Sequence, residues 1–300
     1  MTTLHHISHH LSAMLFSLQK YLAPLPSGGV GGGLLAGGGL LLIFLLISCE
    51  KEISLDYHQV DALYVAEATL TQNGTSVRLT TTQNMTDNNR NAHNVEGATI
   101  VLSSEGYVLD TLRYANNGNY KSEVKGMAGE TYELDIRLAD GTRFTSTSTM
   151  QQPPVMNSFR FVWKEVVGER LLFGDLKLQD IAHEANYYFM HIYRNNVGYR
   201  WAVMTDEHNP GEELQQLFSI TTERELDSGN SDELKDGDRI RLEIRSIDRR
   251  SYDYLYSMQV MDRSGTNPIA NFSGGCLGYF SACHVINHNT IFRRSEVETE

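Results

Sequence analysis

The 300-residue sequence is short of cysteine, proline and positive charge, with 3 Cys, 6 Pro and 25 Lys+Arg against 37 Asp+Glu. Three cysteines are too few for a disulfide-dense mini-scaffold or for a structural zinc site built of cysteine alone. A formal net charge of −12 is the reverse of the basic footprint that phosphate backbones demand, which argues against nucleic acid as a partner. The sequence also lacks the G-x-S-x-G elbow, the G-x-x-x-x-G-K-S/T phosphate cradle and the G-x-G-x-x-G turn, so the commonest hydrolase and nucleotide sites have no counterpart. His183-Glu184-Ala185-Asn186-Tyr187 opens as H-E-x-x-H does, but Tyr187 stands where the second histidine must be, and a zinc ligand is lost. What the chain does have is a 41% share of hydrophobic residues with 21% charged, enough to fill the cores of one or two domains.

Charged residues are absent between Lys20 and Glu50, and this gap ends in the apolar run Leu40 to Ile47. A spanning helix needs roughly 20 apolar residues. The stretch Gly28 to Gly39 instead carries eight glycines, each costing about 1 kcal/mol of helix propensity relative to alanine. The dense apolar part is therefore short, like the core of a signal peptide. It closes on Leu46-Ile47-Ser48-Cys49, which resembles the lipobox of bacterial lipoproteins, where a cysteine after an aliphatic and a small residue is acylated and becomes the mature N-terminus. Residues 1–48 then read as a lipoprotein-type signal peptide, with Met14 the more ordinary start, and residues 49–60 as an acylated tether. The competing reading is a signal anchor whose cysteine is incidental. The spaced histidines His5, His6, His9 and His10 fall in the part that cleavage would discard. Glu50, Lys51 and Glu52 resemble the acidic signal that sends Bacteroidetes lipoproteins to the cell surface, with a plain charged tether as the alternative. Two acyl chains hold a protein at a bilayer stably where one is marginal, so the membrane is the first expected partner.

From residue 61 to 152 the pattern is one of short strands. Leu63 to Ala66 and Ser76 to Thr80 flank Asn73-Gly74, a hairpin signal. Thr81 to Asn94 is a polar, Asn-rich loop. Strand signals resume at Ala98 to Leu102, Tyr107 to Leu109, Gly118 to Tyr120 and Tyr132 to Leu138, and Asp140-Gly141 turns the chain into Arg143 to Thr147. Such spacing without a helical period predicts a β-sandwich. Pro153-Pro154 favours an extended connector and marks the expected boundary with a second β-rich domain, residues 155–292, which carries one helix. Arg239 to Arg245 alternates cleanly and should bury its Ile/Leu face and wet its Arg/Glu face. Leu214 to Thr222 is ambiguous. Asp248 is a plausible N-cap for a helix whose Tyr254, Leu255, Met258 and Met261 share one face. Leu277 to Ile286 reads as a strand, and residues 293–300 as a flexible tail. The fold class expected is thus mainly β.

Val95-Glu96-Gly97-Ala98-Thr99-Ile100-Val101, Asn117-Gly118-Asn119-Tyr120 and Gly129-Glu130-Thr131-Tyr132-Glu133-Leu134 resemble the rhythm of carboxypeptidase-regulatory and transthyretin-like sandwiches, a rhythm that immunoglobulin-like domains share in outline. With Asp180 to Tyr188, Asp248 to Leu255 and Asn267 to Phe280 in that order, the chain is similar to the Bacteroidetes lipoproteins catalogued as domain of unknown function 4249. The likeness runs from about Cys49 to Phe292. It implies an outer-membrane lipoprotein, on the periplasmic face or the cell surface, that is a non-catalytic accessory or binding partner of a TonB-dependent transporter. A surface hydrolase acting on glycan or peptide, and an adhesive or structural surface protein, are the rival readings. The likeness transfers no catalytic residue, cofactor or metal.

Cys276 and Cys283, with His284 and His288 nearby, are the one group of soft ligands. A disulfide, two unpaired thiols and a zinc site are open to it. A straight strand would separate the two Cα atoms by roughly 23 Å and point the side chains to opposite faces, which favours unpaired thiols. Asp232, Glu233, Asp236 and Asp238 suit a solvated turn better than a calcium loop, since Leu234 takes the third position of the usual spacing. Tyr187, Tyr188, Phe189, Tyr193, Tyr199 and Trp201 read as strand packing, with stacking on a sugar or peptide as the functional alternative. Asp110-Thr111-Leu112 fits the short acceptor pattern for O-glycosylation at Thr111. The acylation reading has a direct check: radiolabelled palmitate should enter the wild-type chain and not Cys49→Ala, and an unlabelled wild type would exclude it.

Overall fold

Alternating small apolar and polar side chains give the first half of the protein its strands. The computed structural model describes residues 61–83, 93–179, 184–207, 213–264 and 268–300. In the first half these form β1 (Tyr64–Thr71), β2 (Gly74–Thr81), β3 (Thr99–Ser104), β4 (Tyr107–Thr111), β5 (Arg113–Asn116), β6 (Asn119–Ser122), β7 (Thr131–Arg137) and β8 (Arg143–Thr149). The β1–β2 turn is made by Gln72 and Asn73, with Gly74 opening β2 at a φ of 144°. Ala66, Ala68, Leu70, Val77 and Leu79 point inward from one sheet, against Ile100, Leu102, Leu134, Ile136 and Phe144 of the other. The period of two therefore produces a sandwich.

The second half repeats the design. It comprises β9 (Val155–Val166), β10 (Glu169–Gln179), β11 (Tyr187–Arg194), β12 (Val197–Thr205), β13 (Leu214–Thr222), the short helix α1 (Glu223–Asp227), β14 (Arg239–Ile247), α2 (Arg249–Ser264), β15 (Leu277–Ala282), β16 (His284–Ile291) and β17 (Glu298–Thr299). One sheet runs β13-β10-β9-β17 and the other β12-β11-β14-β16. Leu172, Leu176 and Leu178 meet Tyr188, Met190, Ile192, Leu242 and Ile244 between them. The ambiguous segment Leu214 to Thr222 is thus the edge strand β13. The protein is mainly β, and among the described residues α2 is the one helix of seven or more residues.

Two expectations need correction. Leu277 to Ile286 is not one strand. It breaks at Cys283, β15 pairing parallel with β1 in the first sandwich and β16 pairing antiparallel with β14 in the second. The first sandwich therefore has sheets β15-β1-β2-β6-β5 and β4-β3-β7-β8, and Phe272, Cys276, Phe280 and Ala282 complete its core. A continuous apolar run gives no sign of such a change of sheet, because both halves of it are buried. Residues 293–300 are likewise no loose tail. Arg294–Glu296 forms a single 3-10 turn, and β17 lies parallel to β9.

Polar groups bind the two sandwiches where β15 crosses. The Asp248 side chain caps α2 through Ser251 N (2.8 Å) and also accepts from Ser148 Oγ (2.6 Å) and Thr149 N (3.1 Å) of β8. Ser148 Oγ in turn accepts from Ala282 N at 2.8 Å. Gln72 Nε2 donates to the Val285 carbonyl, and its Oε1 accepts from Val285 N.

Gly278 is the tightest point of the crossing. It sits at a φ of +98°, directly beside Ala66 of β1, whose carbonyl oxygen a Cβ at position 278 would overlap. An L side chain there combines left-handed backbone strain with a backbone clash. Gly278→Ala should lower unfolding stability by about 3 kcal/mol or more, whereas Gly275→Ala, at a similar φ of +82° but in open space, should cost clearly less. Equal losses in chemical denaturation would show that the clash is relaxed away.

Candidate functional site

The acylation residue Cys49, the acidic Glu50, Lys51 and Glu52, the signal peptide 1–48 and the tether 49–60 all lie outside the described residues. So do residues 84–92 of the polar loop and His183 of the incomplete H-E-x-x-H pattern; Glu184 is exposed. Cys276 and Cys283 are both free and buried. They sit in different apolar clusters, Cys276 in the first core and Cys283 beneath α2. Burial pushes the Cys276 thiol up to about 12, and raises that of Cys283 against the opposing pull of Arg245. Both are small hydrophobes in their surroundings rather than nucleophiles. His284 Nδ1 is 3.0 Å from the Gln151 carbonyl, and His288 stands edge-on to Phe159. Among the described residues no three of His, Cys, Asp and Glu converge to hold a metal ion.

The acidic group around residue 236 is a turn. Asp238 is buried and accepts from Arg194 Nε (2.5 Å), Asn195 Nδ2 (2.7 Å) and Lys235 N (2.7 Å). Burial raises its pKa, and these donors outweigh it so that the net shift is downward. Asp236 accepts from Arg294 N instead. The carboxylates are thus consumed separately.

The aromatic group is divided by the strand period. Tyr188 and Tyr199 fill the second core, while Tyr187 and Phe189 face the other way, against Tyr254 and Leu255 of α2. The same outward face continues with His191 and Tyr193 on β11, Trp201 on β12 and Arg241, Glu243 and Arg245 on β14. Here the expectation of a wet Arg/Glu face fails, because Glu243 is only 8% exposed. Cross-strand register pairs Phe189 with Arg245, His191 with Glu243 and Tyr193 with Arg241. Arg241 lies 3.7 Å over the Tyr193 ring, Arg245 lies 5.3 Å over Phe189, and His191 stacks on Tyr193 at 4.1 Å. Glu243 accepts from Arg241 at 2.8 Å and from Arg245 at 2.6 Å. Charged side chains can leave water when they are paired and stacked in this way.

The electrostatics of this ladder set the charge of its members. Burial lowers the His191 pKa to about 4, with Arg245 and Arg241 acting in the same direction and Glu243 opposing, so the ring is neutral at ordinary pH. Burial raises the Glu243 pKa, but the two guanidinium groups outweigh it and hold the carboxyl below the usual range. The stacked and paired groups occupy one another's faces, and Trp201 packs beside the ladder with its ring centroid 6.0 Å from that of Phe189. The sequence signal that could have revealed it was present, namely Arg-x-Glu-x-Arg in register with Phe-x-His-x-Tyr, but register is not visible in one strand alone.

A different face is open. Tyr107, Val108 and Leu109 are 75%, 67% and 42% exposed, and β4 is an edge strand. The chain then switches sheets at Leu112, so that β5, also an edge and exposed throughout, continues the same corner. Thr111 stands exposed at the end of β4, where its N–H donates to Asp110 Oδ1 at 2.8 Å. A hollow of about 340 Å³ beside the β3–β4 turn is lined by Ser103, Glu105, Glu130, Thr131, Glu133 and Thr147, among others.

Glu243 supplies a pH test of the ladder. Its folded pKa is depressed, so its ionised form stabilises the fold above the ordinary carboxylate value of about 4.3 and that contribution is lost as pH falls through the lower folded value. Glu243→Gln should cost about 3 kcal/mol at pH 7, because it strips the counter-charge from two partly buried arginines. The gap from wild type should narrow below about pH 4. A gap that stays constant from pH 7 to pH 3 would mean that Glu243 acts by shape alone.

No helix among the described residues is long and apolar enough to cross a membrane. No curated protein matches the chain. The family model described as Domain of unknown function (DUF4249) matches residues 50–287, and the chain belongs to that family.

Proposed function

We propose that this protein is a non-catalytic, lipid-anchored module of the bacterial outer membrane, held there through Cys49, and that it serves as an accessory or binding partner of a TonB-dependent transporter. The single observation that carries the binding role is the β4 edge, where three consecutive apolar side chains are exposed on a strand that, among the described residues, has a neighbour on one side alone. Monomeric proteins ordinarily blunt such an edge with Lys, Pro or a covering loop. The sequence Tyr107-Val108-Leu109-Asp110-Thr111 has neither Lys nor Pro, and its edge is interrupted only by a register shift against β3 that leaves Leu109 unmatched. A strand edge of this kind suits addition of a partner strand, with main-chain hydrogen bonds giving affinity and alternate side chains giving specificity. A strand at the rim of a membrane receptor is a fitting occupant. The assignment of membrane, transporter and surface location rests on the lipobox resemblance and on the likeness to outer-membrane lipoproteins.

The test uses an affinity-tagged chain recovered from detergent-solubilised outer membranes. Wild type should bring down a β-barrel receptor, and Val108→Lys should reduce recovery by about tenfold, equivalent to about 1.4 kcal/mol. The melting temperature should barely move, since exposed substitutions shift stability by about 0.5 kcal/mol or less. Undiminished recovery with Val108→Lys would remove the edge from the proposal, and a wild type that recovers no β-barrel would remove the transporter.

A further inference from the structure

The outer edge of β9 is handled quite differently from that of β4. Although β9 has twelve residues, β17 pairs with it only at Val162 and Trp163, with one further bond from Glu300 N to the Trp163 carbonyl (3.0 Å). Arg160, Val162 and Lys164 share one face of β9 by the strand period. In parallel register Glu298 and Glu300 lie along that face. Arg160 pairs with Glu298, Glu300 and the buried Asp175, and Lys164 with Glu300 at 2.8 Å. Arg170, which lies 4.9 Å over the Trp163 ring, donates to Thr299 Oγ1 at 3.0 Å. In a chain of net charge −12, two cations, Arg160 and Lys164, thus stand along one sheet edge, with Arg170 of the inner strand β10 already paired with Glu223 at 2.7 Å, and an acidic segment with alternating glutamates occupies that edge.

The attachment is shallow. Val297 packs against the second core, but beyond it Glu298 and Thr299 are exposed. Residues 298–300 are fastened by their main-chain pairing at Val162 and Trp163 and by ion pairs at the surface, each worth little and weakened by salt. Its other end is fixed by Arg294, which pairs with Asp227 (2.5 Å) and Glu223 (3.3 Å) near α1. Phe292 is the buried anchor behind it.

We propose that the β9 edge is an acceptor for an extended acidic peptide segment of a partner protein, and that residues 298–300 occupy it in cis as a displaceable strap. The chemistry of the partner is read from the strap itself: an extended backbone that adds in parallel, with carboxylates at alternate positions to meet Arg160 and Lys164. The inference deepens the partner-binding reading by naming a second contact and its chemistry, and it depends on neither the β4 edge nor the lipid anchor.

The probe is a fluorescent peptide with the sequence of residues 293–300, titrated against the purified full chain in low salt. The strap-weakened variant Glu298→Lys/Glu300→Lys should bind it at least about tenfold more tightly than wild type does, and the binding should fall steeply as salt is raised. In the neutral-strap background Glu298→Ala/Glu300→Ala, which carries no side-chain charge at 300 to refasten on position 164, Lys164→Glu should abolish the binding, and a peptide carrying Lys at the position of Glu300 should restore it. This exchange of charges would not rescue a merely structural defect. Equal peptide binding by wild type and the strap-weakened variant, or failure of the charge exchange, would overturn the proposal. A wild-type dimer that dissolves on Glu298→Lys/Glu300→Lys would also overturn it, in favour of strand exchange between two copies. Loss of receptor recovery on Val108→Lys leaves this result untouched, so the two readings fail separately.

Discussion

The parallel pairing of β15 with β1 is the constraint on which the two-sandwich arrangement depends. It brings a strand from late in the sequence back to the first core, where Phe280 and Ala282 are fully buried among residues of β1 and β2. Such a pairing closes a loop of about 200 residues, and its entropic cost grows only slowly with length. What it requires locally is close backbone approach at Ala66, which the glycine at 278 supplies. Once β15 is seated, the polar groups around it find partners. Ser148 Oγ donates to Asp248 and accepts from Ala282, and Asn271 Oδ1 accepts from Ser146 Oγ (2.7 Å) and Phe280 N (2.9 Å). Were β15 elsewhere, Ser148 Oγ and Asn271 Oδ1 would lose the bonds from Ala282 N and Phe280 N, and a buried donor or acceptor left without its partner costs about 1 to 3 kcal/mol. Cooperativity between the sandwiches follows from that network rather than from apolar contact alone.

Asp248 shows how local and global demands converge on one residue. Its N-cap role was legible, since an aspartate before Arg249 with an amide three residues on is a local motif. That its second oxygen would fasten β8 was not, because no local pattern encodes which strand lies across a helix terminus. The hairpins and strand alternation were legible for the same reason that the cap was: they are consequences of neighbouring residues. The break at Cys283 was invisible because a run buried in two different sheets looks like a run buried in one. The Arg/Glu face of β14 misled for a related reason. Alternation states that two faces differ, but whether the polar one is wet depends on the strand beside it, and here β11 presents Phe189, His191 and Tyr193 to receive the guanidinium groups.

The segment 293–300 was equally opaque. Its charges, Arg-Arg-Ser-Glu-Val-Glu-Thr-Glu, describe a solvated end unless complementary charges await it, and those lie more than 100 positions earlier at Arg160, Lys164 and Arg170. Of the candidate site residues, the two cysteines were left open in the sequence between disulfide, thiols and zinc, and the straight strand that favoured thiols does not exist: a change of sheet at Cys283 places them in separate apolar clusters.

The distribution of charge connects these findings. With 25 cations against 37 anions, few positive groups are left over once the internal acids are matched. Arg241 and Arg245 are held by Glu243, Arg194 by Asp238, and Arg137 and Arg143 by Asp135. Those pairs are partly buried and fixed by stacking or by several hydrogen bonds, so they are part of the fold. The cations along β9 differ in kind. Apart from the Arg160–Asp175 pair, and with Arg170 set aside because Glu223 of α1 holds it, their partners belong to a segment that touches the sheet at two residues. A sheet edge that is permanently closed needs burial or length in the closing strand; one closed by screened charge is held only as firmly as those charges allow. The contrast with the bare apolar β4 edge therefore lies in specificity: β4 offers area and main-chain bonds to a strand of suitable shape, whereas β9 discriminates by sign, rejecting basic segments through like-charge repulsion as well as favouring acidic ones.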